Sequence, residues 1–225
     1  MKYIKNIFAL FLINFAFCQN VTLNKVEKVG TNSDKFFYKI NPDSVKSQYL
    51  GELDVQGFSA DDTTVFDLIY KEAKSVGANA FAYKPFATID GVSKKLDPAH
   101  YLLSLYEVKK DDFPKQSNFI YIVSSSNKPQ KIRFNGNDVE LQPRSYVLKM
   151  IKPGETYLIS TKKFLGSSVN VRSDKYEGKQ FFLISSFKVK ANPYGTAGIN
   201  FKSGDILKLE KSYGDFLTTI YTKLD

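Results

Sequence analysis

The chain is poor in the residues that most often carry out chemistry. Its 225 residues hold one cysteine, Cys18, and one histidine, His100. Cys18 lies at the end of a leader-like start, and cleavage after it leaves no thiol. Disulfides, thiolate zinc sites, iron–sulfur clusters and cysteine nucleophiles are then excluded. A single imidazole excludes a multi-histidine metal cluster within one chain, and a Ser-His-Asp triad would have to use it. His100 follows Pro98 and precedes a strand-like run, so it reads as a surface or hairpin histidine. The chain contains no G-x-S-x-G elbow and no H-E-x-x-H pair. In "TAGINFKS", Phe201 stands where a phosphate-binding loop needs glycine, and that segment reads as a loop. No cofactor is expected.

Arginine is also scarce. Arg133, Arg144 and Arg172 are the three arginines, and the lysines are scattered among acids. The formal charge is +9; without Lys2 and Lys5 it is +7, from 30 basic and 23 acidic residues. Bidentate readout of bases and phosphates favours arginine, so nucleic acid is not an expected partner. Scattered lysine reads as a solvated surface.

Long apolar runs are missing too. The longest, Ile7 to Ile13, is interrupted by Asn14 and falls short of the roughly 20 residues that span a bilayer. No transmembrane segment is expected. With Lys2 and Lys5 ahead of it, the run has the form of a signal peptide over residues 1–18. Two readings stay open. Ala16 and Cys18 as small residues at the −3 and −1 sites give a mature chain starting at Gln19. Alternatively, Cys18 is lipidated, although the bulky Phe17 stands where lipoprotein signals place a small residue. The expected location is periplasmic or extracellular, with lipid anchoring through Cys18 as the second possibility. The ending Cys-Gln resembles the leaders of Bacteroidetes secreted proteins.

An aromatic fraction of 15% and a hydrophobic fraction of 43% indicate a folded chain. The segment "KKDDFPKQSN", Lys109 to Asn118, is charged, contains Pro114 and reads as a linker. It divides the chain into modules at 19–113 and 114–225. In the first, Phe36 to Ile40 and the alternating "LGELDVQGF" read as strands. Ser59 with Asp62 marks a helix start and Gly77 its stop, with Val65, Phe66, Ile69, Ala73 and Val76 as the apolar stripe between them. "ANAFAYKPF" and "YLLSLYEV" follow as strands, completing a small βαββ unit. A strand, an amphipathic helix and then "GANA" (Gly77 to Ala80) resembles the α+β fold of YbjQ-like and RcsF-like envelope proteins. The resemblance implies a structural role for that turn and brings no catalytic residue.

The second module reads as strands with turns every 8 to 12 residues. They begin with Phe119 to Val123, and Asn135-Gly136 marks a hairpin. Further strands are read at Tyr146 to Ile151, Tyr157 to Ser160, Val169 to Arg172, Phe181 to Val189, Ile206 to Glu210 and Phe216 to Thr222. The pattern predicts an all-β antiparallel sandwich, making the whole chain α+β. The run from "FIYIV" through "NGND" and "KPGE" to "EGKQFFLIS" is similar to PEGA-like sandwiches, which implies an accessory or interaction module.

Candidate sites are few. Asp61-Asp62 reads as a helix cap and dipole partner, and Asp111-Asp112 as linker. The doublet Phe181-Phe182 and the run Phe36 to Tyr38 read as core. In the loop at 191–198, Pro193, Tyr194 and Gly195 present an aromatic on a turn, which makes them the candidate binding residues. "DSV" (Asp43 to Val45) resembles a Bacteroidetes O-glycosylation acceptor, with Ser44 as the modified residue. The expected function is a non-enzymatic exported envelope protein that binds an envelope protein or glycan, or that serves a structural role. The alternative is a hydrolase of glycan or peptide using carboxylates brought together between the two modules.

Overall fold

The computed structural model describes residues 20–57, 59, 61–86, 95–113, 118–125, 127–162, 166–174, 178–185, 199–203 and 205–225, the strand at 199–203 by its backbone. The protein is α+β and mostly strand, with two helices and three sheets among these residues. Among them, no helix is long and apolar enough to cross a membrane.

The first sheet contains β1 (Asn20–Val26), β2 (Tyr38–Lys39), β3 (Gln48–Gln56), β4 (Ala80–Lys84) and β5 (His100–Glu107), in the order β1-β3-β5-β4-β2. Helix α1 (Asp62–Ser75) crosses from β3 to β4. Both of these strands run antiparallel to β5, which slots between them, so β3-α1-β4 is a split β-α-β crossover. The apolar stripe is as expected: Val65, Phe66, Ile69 and Ala73 are buried. The start is shifted, because the cap is Asp61, not Ser59. Thr64 N–H donates to Asp61 Oδ1 at 3.2 Å, while Ser59 Oγ accepts from Asp61 N–H at 3.0 Å. The strand read over Phe36 to Ile40 shrinks to Tyr38–Lys39, paired parallel with β4. Strand β1 was not expected; it lines the sheet edge with Val21 and Leu23 packed against the core.

"GANA" closes the helix onto this sheet. Gly77 ends α1 at φ +75, and a Cβ there would lie 2.5 Å from the Gly30 carbonyl oxygen. Asn79 is buried and works as a strand residue would. Its amide donates to Val108 O and its oxygen accepts from Val108 N–H, both at 2.8 Å.

After a short 3-10 turn (Lys110–Asp112) come β6 (Phe119–Ser124), β7 (Gln130–Phe134), β8 (Asn137–Leu141), β9 (Ser145–Met150), β10 (Thr156–Thr161), β11 (Ser168–Arg172), β12 (Lys179–Ile184), β13 (Ile199–Ser203), β14 (Ile206–Leu209) and β15 (Thr222–Lys223). They form a four-stranded sheet, β11-β10-β7-β8, and a six-stranded sheet, β13-β14-β12-β6-β9-β15. Asn135 and Gly136, both at positive φ, turn β7 into β8 as the sequence predicts. Ile120, Ile122, Phe182, Ile184 and Ile206 from the larger sheet share one core with Ile132, Phe134, Ile159 and Val171 from the smaller.

Three expectations are corrected. The six-stranded sheet is mixed, since β12 runs parallel to β6 and β15 parallel to β9. Ile199–Ser203, read as loop, is strand β13 paired with β14. The second module is not all-β, because the segment read as a strand at Phe216 to Thr222 is mostly helix α2 (Lys211–Ile220). Glu210 caps that helix, accepting from Ser212 N–H at 2.8 Å and Tyr213 N–H at 3.3 Å. Tyr213, Phe216, Leu217, Ile220 and Tyr221 recur at helical spacing and are all buried. That stripe outweighs the strand preference of Thr218, Thr219 and Ile220.

Helix α2 packs against β12 on one side and against α1 and β2 on the other. Phe37, Phe66 and Phe81 therefore share a buried cluster with Phe181, Tyr213, Phe216 and Leu217.

Candidate functional site

The charged groups brought together by α1 and α2 meet in a closed seam. Asp62, in the first turn of α1, is 6% exposed. Arg144, held at φ 53 before β9, reaches it with Nη2 at 2.8 Å and Nη1 at 3.2 Å. The Tyr221 hydroxyl donates to the same carboxylate at 2.6 Å, and the guanidinium lies 4.9 Å from the Tyr221 ring centre. Burial pushes the Asp62 carboxyl up, against the pull of Arg144 and the Tyr221 hydroxyl. Burial also pushes Tyr101, Tyr213 and Tyr221 up, and the nearby Asp62 carboxylate adds to it. Tyr213 and Thr63 share a hydrogen bond at 3.1 Å. With these partners in place, Asp62 has the surroundings of a structural ion pair, not of a general acid.

A second cluster is centred on α2. Asp215, 2% exposed, accepts from Lys179 Nζ at 2.7 Å and from Lys39 N–H at 3.1 Å. Lys39 Nζ donates to Thr218 O at 3.2 Å, and burial holds its pKa down despite Asp215. Nearby, Lys74 Nζ donates to the carbonyls of Asp34 and Phe36 at 2.6 Å and of Ala78 at 2.9 Å. Burial pushes Lys74 down to about 8.

The residues singled out from the sequence are not gathered into one place. Cys18, Gln19, Pro193, Tyr194 and Gly195 lie outside the described residues. Ser44 is exposed and its hydroxyl donates to Asn41 O at 3.1 Å. His100 Nε2 is 3.0 Å from Asp54 Oδ1 and its ring contacts Phe86, which fits the hairpin reading. Asp111 and Asp112 sit in the 3-10 turn. Asp112 and Glu107 line a hollow of about 350 Å³ with Thr31, Lys46, Gln48 and Lys109, all from the chain before residue 113. Among the described residues, no group of three or more His, Cys, Asp or Glu could hold a metal ion.

A second hollow, of about 220 Å³, opens where β11, the edge of the four-stranded sheet, stands over β12 and β14. Val169, Val171, Phe182 and Ile206 give it apolar walls, and Asn170, Arg172, Gln180 and Lys208 add polar groups. Gln180 is 6% exposed, and its side-chain nitrogen has no hydrogen-bond partner among the described residues. Sequence reading missed this site. Its only local signal is a polar residue, Gln180, placed ahead of an aromatic run. Comparison with known proteins finds no matching family model, curated protein or solved structure.

Proposed function

We propose that this is an exported, non-enzymatic binding or structural protein of the cell envelope, a βαββ module at 19–113 followed by a sandwich module at 114–225. What supports a binding role over turnover is the closure of the seam. Asp62 and Asp215, the two acids that α1 and α2 bury between the modules, are each engaged by cationic side chains from elsewhere in the chain. The basic, apolar start of the sequence supports export, and the leader style and the YbjQ-like and PEGA-like resemblances support an envelope location. The partner is an envelope protein or glycan, met through loops such as Pro193 to Gly195.

Cross-linking of the tagged full-length chain in a Bacteroidetes host, followed by fractionation and intact-mass measurement, tests this. The expected result is a product starting at Gln19, cross-linked to an envelope component, with capture reduced in Tyr194→Ala. Recovery with an uncleaved leader in the cytosol overturns export. Hydrolysis of peptidoglycan or peptide that is lost in Glu107→Gln or Asp112→Asn replaces the binding reading with the hydrolase.

A further inference from the structure

We infer that the hollow beside the start of β3 and the end of β5 is a site for a zwitterion of dipeptide size. The inference deepens the binding reading above and, for its use in the cell, rests on it.

Ionised side chains of both signs line this hollow: Lys46 and Lys109, Glu107 and Asp112. Among the described residues, no hydrogen bond or ion pair engages the side chain of any of them. Elsewhere on the same sheet the acids are matched, Glu52 by Lys84 and Asp54 by His100. The two lysines are exposed, and the two acids are half-buried. Thr31, Ser47 and Gln48 complete the lining with groups that both donate and accept.

The sheet fixes the aim of Glu107. It is directly across from Gln48, and Leu103 and Leu105, at two-residue spacing before it, belong to the core under α1. Tyr106 and Val108 turn to the other face, where they pack in one cluster with Val45 and Ala80. The Asn79 side chain bonds both backbone groups of Val108, so the extended course continues past β5 and Lys109 returns to the side of Glu107. Glu107 Oε2 lies beside Gly30, next to Thr31 in the chain, and an added Cβ at Gly30 would be 2.6 Å from it. Gly30 N–H donates to Val76 O at 2.9 Å, which sets the carboxylate near the C-terminal end of α1. That end of a helix dipole favours a positive group.

A carboxylate drawn partly out of water without a donor is unfavourable, and a ligand ammonium supplies both the donor and the charge. Lys46 and Lys109 call for a carboxylate at the other end of the same ligand. A simple anion would lie beside Glu107 and Asp112, and a simple cation beside the lysines. Lys109 follows Glu107 by two extended residues, a rise of about 7 Å, and two extended peptide units span a similar length of about 7 Å. A volume of about 350 Å³ is near the lower end of ligand sites, which begin at roughly 300 Å³. No aromatic side chain lines it, so a sugar ring finds no face to stack on.

The test titrates the mature chain at about pH 6.5, where a peptide amino end is protonated, with alanylalanine. Two-dimensional NMR follows the Gln48 side-chain amide and the backbone amides of Thr31 and Ser47. Alanylalanine is expected to saturate and to move these signals. N-acetyl-alanylalanine, alanylalanine amide, free alanine and glucose bind at least tenfold more weakly. Glu107→Gln loses at least tenfold in alanylalanine affinity and leaves the weak binding of the N-acetyl form unchanged. Lys46→Met with Lys109→Met, two changes at exposed positions, loses at least tenfold as well. Circular dichroism and Tm establish that each variant is folded. Failure of alanylalanine to saturate, equal binding of either capped form, of alanine or of glucose, or unchanged affinity in Glu107→Gln overturns the proposal. These outcomes leave envelope cross-linking untouched, so a failure here is distinguishable from a failure of the binding reading.

Discussion

Asp62 and Arg144 are 82 residues apart in the chain and meet in a two-pronged ion pair, buried where the first helix enters the seam. Removing either partner leaves the other charge buried and unmatched. Asp62→Ala and Arg144→Ala are each expected to destabilise the protein by about 3–5 kcal/mol. Replacing both with apolar residues, Asp62→Leu with Arg144→Met, is expected to cost less than the two single changes together. Urea unfolding of the four proteins as a double-mutant cycle measures this.

Stability has a defined pH dependence on the alkaline side. Lys74 is depressed from 10.5 to about 8 and Lys39 is depressed as well. Between about 8 and 10.5 the unfolded chain holds more protons on Lys74 than the folded chain, so stability rises with pH in that window. The tyrosines act in the opposite sense. Tyr38 and Tyr121 are raised from 10.0 to about 12, and Tyr101, Tyr213 and Tyr221 are raised too. Their contribution is intact below 10 and is lost as the pH climbs through the folded values. Unfolding free energies measured from pH 7 to 11 are expected to peak at about 9 to 10 and then fall. Lys74→Met is expected to flatten the rising limb and leave the fall in place.

Gly77 separates a backbone requirement from a steric one. Asparagine tolerates a positive φ, yet any Cβ at 77 meets the Gly30 carbonyl. Gly77→Ala and Gly77→Asn are both expected to destabilise by more than about 1 kcal/mol. Gly136 has a similar φ of +82 and open space around it, so Gly136→Asn is expected to cost much less. Thermal unfolding of the three variants distinguishes the two causes.

Gly214, inside α2, reverses the usual helix rule. Alanine is ordinarily the better helix former by about 1 kcal/mol. Here the added Cβ would lie 2.2 Å from the Phe181 ring. Gly214→Ala is expected to destabilise by about 1–3 kcal/mol through overpacking. Combining it with Phe181→Leu is expected to recover part of that loss, read from denaturant midpoints.

The sequence by itself determined the elements whose signals are local. The stripe from Val65 to Ala73 makes α1 wherever it finds an apolar surface, and Gly77 ends it by adopting a backbone conformation few other residues accept. Asn135-Gly136 makes its hairpin for the same reason. These rules act over two to four residues, so spacing alone reveals them. Helix α2 was legible in the spacing of Tyr213, Phe216, Leu217 and Ile220, but the β-branched run beside it also reads as strand, and only burial against Phe66 and Phe181 decides between them. The tertiary structure alone decided that β12 lies parallel to β6, that Asp62 meets Arg144, that Asp215 meets Lys179, and that Gln180 and Lys208 line one hollow. Those pairings join residues tens of positions apart in the chain. Each depends on the geometry of two packed sheets and an intervening helix, for which no short stretch of sequence carries a rule.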